Sequence, residues 1–128
     1  MHYRTRAGFT LIELLIVVVI IGILAAIAVP KFGTTKGKAY SATLKSDLRN
    51  LATAQEAYYY DNGTYAANLG LLNVLPSTGV SMSVAEATAA GWSASATHGQ
   101  STPVLCAVFF GSAAPVAPAT AEGTVTCQ

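Results

Sequence analysis

The residue with the clearest chemical potential is Glu13, which stands inside the stretch AGFTLIELLIV at positions 7–17. The apolar run that contains it has no Lys, Arg or His to act as its partner. An ionised carboxylate at the centre of a bilayer costs roughly 2.5–3.5 kcal/mol on insertion scales. The charge of Glu13 must therefore be paired, neutralised by a proton, or held close to the membrane surface.

The element that carries Glu13 is an apolar run from Phe9 to Val29, in which Thr10 is the only other clearly polar residue. As a helix this run would be about 32 Å long, close to the roughly 30 Å hydrocarbon core of a bilayer. Arg4 and Arg6 precede it, and cations on that side favour a cytoplasmic N-terminus. The run is therefore predicted to be a transmembrane helix.

Residues 31–61 follow a second pattern, that of an amphipathic helix. Apolar side chains recur at three-, four- and seven-residue spacings, with charged residues such as Asp47 off the stripe. The apolar positions are Tyr40, Leu44, Leu48, Leu51 and Tyr58. The triplet Asp61-Asn62-Gly63 predicts the helix end, because Asn and Gly tolerate the left-handed cap conformation.

Residues 62–128 predict a small globular head with an antiparallel sheet. A short helix is expected over Leu69–Leu75. The strand candidates are Val80–Val84, Trp92–Thr97, Val104–Phe110 and Gly123–Cys127. A sheet that packs on the amphipathic helix buries both apolar faces. The predicted fold class is therefore α+β: a long N-terminal α-helix, hydrophobic over 9–30 and amphipathic over 31–61, packed on an antiparallel sheet.

The charge pattern excludes several classes of function. The net charge is only +1, which argues against nucleic acid as the primary partner. After Asp61 the only charged residues are Glu86 and Glu122, so the surface there is smooth and prone to self-association. No nucleophile–base pair, phosphate loop or metal-ligand cluster is visible. The sequence thus predicts no enzyme, no catalytic residue, no metal site and no cofactor.

The stretch GFTLIELLIVVVIIGILAAIAVPKF resembles the N-terminal signature of type IV pilins and of the pseudopilins of type II secretion. The resemblance covers residues 4–32 closely, including a basic leader, and extends more loosely to YYYDNGTY at 58–65 and to the C-terminal cysteine pair. The matching positions are Gly8, Phe9, Glu13, Gly22 and Pro30. An acid at this offset from Gly-Phe within a membrane-length run is rare elsewhere, which makes the first block specific.

The resemblance implies that residues 1–8 are a leader peptide, removed by prepilin peptidase between Gly8 and Phe9. It also implies N-methylation of Phe9 and polymerisation of many copies into a helical filament. The precursor would reside in the inner membrane, and ATP-powered assembly machinery would lift subunits into an extracellular pilus at the cell surface. Attachment, twitching motility and DNA uptake are the downstream uses that the family suggests.

Cleavage before Phe9 would supply the missing partner of Glu13. A free terminal amine has an unperturbed pKa near 8 and is cationic at neutral pH, whereas the uncut amide is neutral. Two pairings remain open: Glu13 with the amine of its own chain on the same helical face, or with that of a neighbouring subunit in a dry bundle. Thr10 can add a hydrogen bond in either arrangement.

Gly22 and Pro30 are predicted helix-breaking positions. Proline removes one helical hydrogen bond and crowds the preceding turn, which by itself would give a modest kink. The resemblance implies more, because in related bacterial pili the stretch between this Gly and this Pro loses helicity. We therefore expect an extended segment between Gly22 and Pro30 only in the polymer.

Cys106 and Cys127 would close a loop of about 22 residues, a disulfide worth roughly 3 kcal/mol by chain entropy. An exported head predicts the disulfide, whereas a reducing compartment would favour thiols. The resemblance suggests that this loop is the surface region that distinguishes one pilin from another.

Two rival functions remain. The first is a pseudopilin of type II secretion, whose main member commonly holds calcium in its C-terminal loop. Calcium prefers several carboxylate oxygens, and Glu86 and Glu122 supply few. The second is a secreted monomeric binding domain, released by a signal-peptidase cut after Ala28 in the small-x-small sequence Ala26-Ile27-Ala28.

Overall fold

The computed structural model describes residues 7–100 and 104–128. It contains one helix, α1 (Leu11–Asn62), a short 3-10 helix (Leu69–Leu71) and four strands. The strands are β1 (Val80–Ala87), β2 (Gly91–His98), β3 (Leu105–Gly111) and β4 (Thr126–Cys127). The predicted α+β class is confirmed. Of the proposed leader at 1–8, only Ala7 and Gly8 belong to the described residues.

The chain forms two compact units, Met1–Thr35 and Lys36–Gln128, and the 52-residue helix α1 contributes to both. The predicted helix end is confirmed, since Gly63 has a φ of +70° and its N–H donates to the carbonyl of Tyr59 at 2.8 Å. Glycine takes this left-handed conformation at little cost, so it satisfies a carbonyl that the last turn leaves open.

The four strands form one sheet in the order β1-β2-β3-β4, and every neighbouring pair is antiparallel. At the β2–β3 end, Gly91 pairs with Gly111. A Cβ on Gly111 would lie 2.1 Å from the carbonyl oxygen of Ala90, and its φ is +64°. The sheet can close at this end only because neither position carries a side chain.

The core lies between the sheet and the α1 residues that belong to the second unit. Leu44, Leu48 and Leu51 are fully buried there, as the spacing predicts, together with Trp92 and Val108. Burial of a Leu side chain contributes about 1.5–3 kcal/mol. The leucine stripe therefore holds together the second unit, Lys36–Gln128, which we call the head unit.

Two polar contacts fasten the loop 63–79 to α1. The Gln55 amide donates to the Ala66 carbonyl at 2.9 Å and accepts from the Ala66 N–H at 2.8 Å. The Asp47 carboxylate accepts from the N–H and the hydroxyl of Ser77, both at 2.8 Å. Asp47 lies off the apolar stripe but is buried, because the loop supplies donors for its carboxylate that the helix pattern does not show.

Two tyrosines of the segment 58–65, Tyr59 and Tyr65, belong to an aromatic row with Trp92 and Phe110. Tyr59 stacks on Tyr65 at 4.7 Å between ring centroids, and Trp92 stacks on Phe110 at 5.1 Å. The Tyr65 hydroxyl donates to Glu56 at 3.1 Å. Burial, and then this hydrogen bond, raise the pKa of Tyr65 above its ordinary value.

Three elements of the head differ from their predicted bounds by more than one residue at an end. The short helix ends at Leu71, because Asn73 takes a positive φ of 51° and turns the chain away. Strand β1 continues to Ala87 through a bulge between Val84 and Glu86. Strand β4 is limited to Thr126–Cys127, since the chain before it forms turns.

Cys106 and Cys127 stand directly opposite each other in β3 and β4 and are joined by a disulfide, as predicted. The pair ties the two-residue edge strand to an interior strand. Two backbone hydrogen bonds between Leu105 and Gln128 also hold this segment, but a strand that short makes few ladder bonds, so the covalent link adds to its attachment.

Replacing Cys106 and Cys127 by Ala should therefore lower the free energy of unfolding of the head unit by about 3 kcal/mol, because the unfolded chain regains loop entropy. Denaturant titration of detergent-solubilised protein measures this through the fluorescence of Trp92, the single and fully buried tryptophan. Ser112→Ala, a small change inside the same loop, is the matched control. An unchanged midpoint in the double variant would contradict the expectation.

Candidate assembly site

Glu13 and Thr10 form a capping box at the start of α1. The Glu13 carboxylate accepts from the Thr10 N–H at 2.9 Å and also from the Thr10 hydroxyl. In return, the Glu13 N–H donates to the Thr10 hydroxyl oxygen at 3.3 Å. A reciprocal pair of this kind satisfies N–H groups that have no partner within the helix. Glu13 therefore helps to cap the helix that carries it.

Sequence reasoning missed this contact, although its signal is present. Thr10-Leu11-Ile12-Glu13 is the pattern Ser/Thr-x-x-Glu before an apolar run, the usual sequence sign of a capping box. The sequence prediction names the Phe9 nitrogen as the principal partner of the carboxylate and gives Thr10 only an additional hydrogen bond. In the structure, Thr10 provides the hydrogen bonds described for this carboxylate.

Both described bonds of the carboxylate use one oxygen, Oε2. Within the described residues, Oε1 of Glu13 is left with capacity for another donor. The capping box therefore leaves Glu13 able to accept a hydrogen bond from a second partner.

Gly8 and Phe9 directly precede the cap, and both are exposed. With Thr10 and Glu13 they form one continuous segment. In the uncut chain the Phe9 nitrogen is an amide, so the charged pair expected after cleavage is not formed in this state. Cleavage and methylation at Phe9 remain predictions.

The helix after the cap exposes a long apolar surface. Every side chain from Phe9 to Ile27 is exposed, including Leu11 at 83% and Ile20 at 54%. By length and composition this helix could cross a membrane. Exposed apolar patches of this extent mark a surface that lipid or protein covers.

Gly22 and Pro30 do not interrupt α1 in the single chain, which is helical through both positions. A Cβ at Gly22 would meet no atom within 4 Å, so nothing in this state requires glycine there. One turn after Pro30, the hydroxyls of Thr34 and Thr35 both donate to the Lys31 carbonyl, at 2.9 and 3.0 Å. Extension of the segment in the polymer remains a prediction.

The two acids that follow Asp61 in the sequence, Glu86 and Glu122, hold loops of the head. Glu122 accepts from the Gly111 N–H at 2.7 Å, and Glu86 accepts from the Ala114 N–H at 3.0 Å. In the part of the chain that the structure describes, no three His, Cys, Asp or Glu residues lie close enough to hold a metal ion. These carboxylates act as loop anchors in the arrangement observed.

Comparison with known proteins agrees with the geometry of this segment. The family model of the prokaryotic N-terminal methylation motif matches residues 3–29. The chain is 43% identical over 65 residues to the type II secretion system core protein G of Pseudomonas aeruginosa, covering 51% of this chain and 46% of the relative.

Type IV pilus proteins are similar to the same degree. The type IV major pilin protein of Myxococcus xanthus is 42% identical over 72 residues, covering 56% of this chain and 33% of the relative. The major component of the type IV wide pilus of Thermus thermophilus is 41% identical over 69 residues, covering 54% of this chain and 53% of the relative. The chain thus spans about half, or less, of the length of these curated relatives. The methylation motif and these relatives, each matched over part of its length, together with the α+β fold, make the chain similar to type IV pilins and to type II secretion pseudopilins.

Proposed function

We propose that the chain is the major pilin of a type IV pilus, a structural subunit that polymerises through its N-terminal helix after cleavage between Gly8 and Phe9. The observation that carries this proposal is the exposed apolar surface from Phe9 to Ile27. Lipid can cover this surface before assembly, and the helices of other copies can cover it afterwards. Prepilin peptidase, the assembly machinery and the inner membrane are its proposed partners before it reaches the cell surface.

Glu13 has a different task in each of these two environments. In the bilayer it lies only about 6 Å along the helix axis from Phe9, near the cytoplasmic interface, where water reaches its charge. In a bundle of packed helices water is excluded, and a buried charge without a partner is strongly destabilising. The Phe9 amine of a neighbouring subunit can meet the Oε1 atom that the cap leaves open.

This arrangement makes Glu13 a device that sets the register of assembly. A subunit one step out of register buries a carboxylate and an amine apart from each other, and each then lacks its counter-charge. The backbone N–H of Thr10, which donates to Glu13 at 2.9 Å, holds the carboxylate in one position, so only the correct axial offset brings the amine within reach.

The head favours a pilin over a pseudopilin. Its disulfide joins the last strand to the sheet, and Glu86 and Glu122 already accept backbone N–H groups. A calcium site in the C-terminal loop would need several oxygen ligands and would compete for these carboxylates. The pseudopilin remains the alternative function, supported by the likeness to core protein G.

Mass spectrometry of fibres sheared from the cell surface tests the proposal. We expect this chain to be the most abundant protein in the fibre fraction, beginning at Phe9 and carrying one methyl group on the terminal nitrogen. The same measurement on the membrane fraction should show the processed pool and a smaller amount of precursor that still contains residues 1–8.

Two other outcomes would each support one of the alternative functions. Processed protein that begins at Phe9 but stays in the envelope, with no surface fibre, would favour the pseudopilin. A soluble secreted protein that begins at Val29 would instead show cleavage after Ala28 and a monomeric binding domain.

Glu13→Ala should leave cleavage and membrane insertion intact but reduce the sheared fibre about tenfold or more, because the neighbouring amine is then buried without a counter-charge. Quantitative immunoblots of the fibre and membrane fractions measure both effects. Thr10→Ala is the matched control, since it removes the cap hydroxyl at a cost of about 1 kcal/mol yet keeps the carboxylate.

Thr10→Ala should retain most of the fibre yield. An equal loss of fibre yield in the two variants would mean that assembly requires Glu13 for the capping box and not for pairing between subunits. A normal yield from Glu13→Ala would remove the register role altogether.

A further inference from the structure

In the part of the head unit that the structure describes, most acids form hydrogen bonds within the unit, whereas one acid and the cations do not. Four acids each accept hydrogen bonds from uncharged donors of the same unit: Asp47, Glu56, Glu86 and Glu122. Asp61 is exposed, and among the described residues its carboxylate accepts no side-chain hydrogen bond. Asp61 is therefore the one acid of the unit whose carboxylate accepts no hydrogen bond from the described residues.

The cations of the unit are also left unused. Lys45 and Arg49 stand one turn apart on α1, and within the described residues neither forms an ion pair. They line a hollow of about 280 Å³ whose other walls include the buried Leu48 and Val108 and the half-buried Phe110. We call this hollow the basic groove. Its positive rim and apolar walls suit an acid that is next to an apolar side chain.

Such a combination is present on the same molecule. Asp61 lines a second surface hollow with Leu71, Leu72 and Tyr58, and we call this the acidic patch. Leu71 is 49% exposed, a large apolar side chain left open to solvent beside the unused carboxylate. The acidic patch therefore complements the basic groove in charge and in apolar character.

The two surfaces cannot meet within one subunit. Asp61 is twelve and sixteen residues beyond Arg49 and Lys45 on the same helix, about 18–24 Å along the helix axis. At 3.6 residues per turn, its direction differs from theirs by about 120–160° around the axis. The complementary surfaces lie on different flanks of the same helix at different heights.

We propose that the acidic patch of one subunit docks onto the basic groove of a second copy, with Asp61 pairing with Arg49 and Lys45 and Leu71 packing on the groove walls. A contact between two different surfaces of identical subunits is heterologous, and one that combines rotation with axial displacement builds an open helical polymer instead of a closed ring. The inference rests on the proposed function and names the head contact that would accompany the packing of the N-terminal helices.

A charge exchange in the full chain tests the contact, with fibre yield measured in cells whose own copy has been replaced. Arg49→Asp and Asp61→Arg each place like charges across the interface, and each should reduce sheared fibre about tenfold relative to the membrane pool. The double variant restores opposite charges and should recover to within about threefold of the unaltered chain. Lys36→Asp, the same charge change on an exposed α1 residue that points away from the groove, should leave the yield unchanged.

Cysteine pairing gives a second readout that does not depend on charge. Leu71→Cys together with Thr124→Cys, which adds one thiol on the patch and one on the groove, should give a ladder of disulfide-linked oligomers when intact fibres are oxidised. Either substitution alone should give no ladder beyond a dimer. Unaltered Trp92 fluorescence in all variants confirms that the head is folded.

The outcomes separate the two proposals. Fibres that form normally in both single charge variants, or a double variant no better than the worse single variant, would overturn the docking contact while leaving the pilin function in place. An unaltered chain that is processed at Phe9 but never found in surface fibres would overturn the pilin function itself.

Discussion

The apolar surface of the first half of α1 is the constraint on which this protein depends. From Phe9 to Ile27 the chain presents large aliphatic side chains on all sides of a helix, and its own fold covers almost none of them. A helix that is apolar all round requires a surrounding that is also apolar. Lipid and a bundle of identical helices both meet that requirement, so the same segment can serve as membrane anchor and as fibre core.

Exchange between two apolar surroundings yields little net hydrophobic free energy, because lipid tails and neighbouring helices are similarly apolar. Under the proposed function, the choice between the membrane and the fibre then depends on polar groups. Glu13 is the polar group placed within this surface, and its capping box with Thr10 fixes where the carboxylate stands. A terminal amine created at Phe9 would be the counter-charge that only a correctly placed neighbour can supply.

The head unit obeys a different constraint, since its core packs the leucine stripe of α1 against Trp92, Val108 and small residues of the sheet. Ala94 and Ala96 of β2 are buried beside Leu44 and Leu48, which lets the helix approach the sheet closely. Polar side chains then fasten the loops, through Gln55 to Ala66 and Asp47 to Ser77. Because the fold uses most of its acids internally, the few charges that remain free are those available to other molecules.

The sequence by itself determined the elements whose pattern is local. The apolar run, the leucine spacing, the helix end at Gly63 and the strand positions all follow from periodicity and turn residues, and the structure confirms them. The pattern Thr-x-x-Glu also contained the capping box. Only the tertiary structure decided which charges are used: Asp47 is buried because Ser77, thirty residues later, folds back to supply its donors. The same holds for Asp61, Arg49 and Lys45, since whether a charge finds a partner within the fold depends on contacts between segments distant in sequence, which no local pattern encodes.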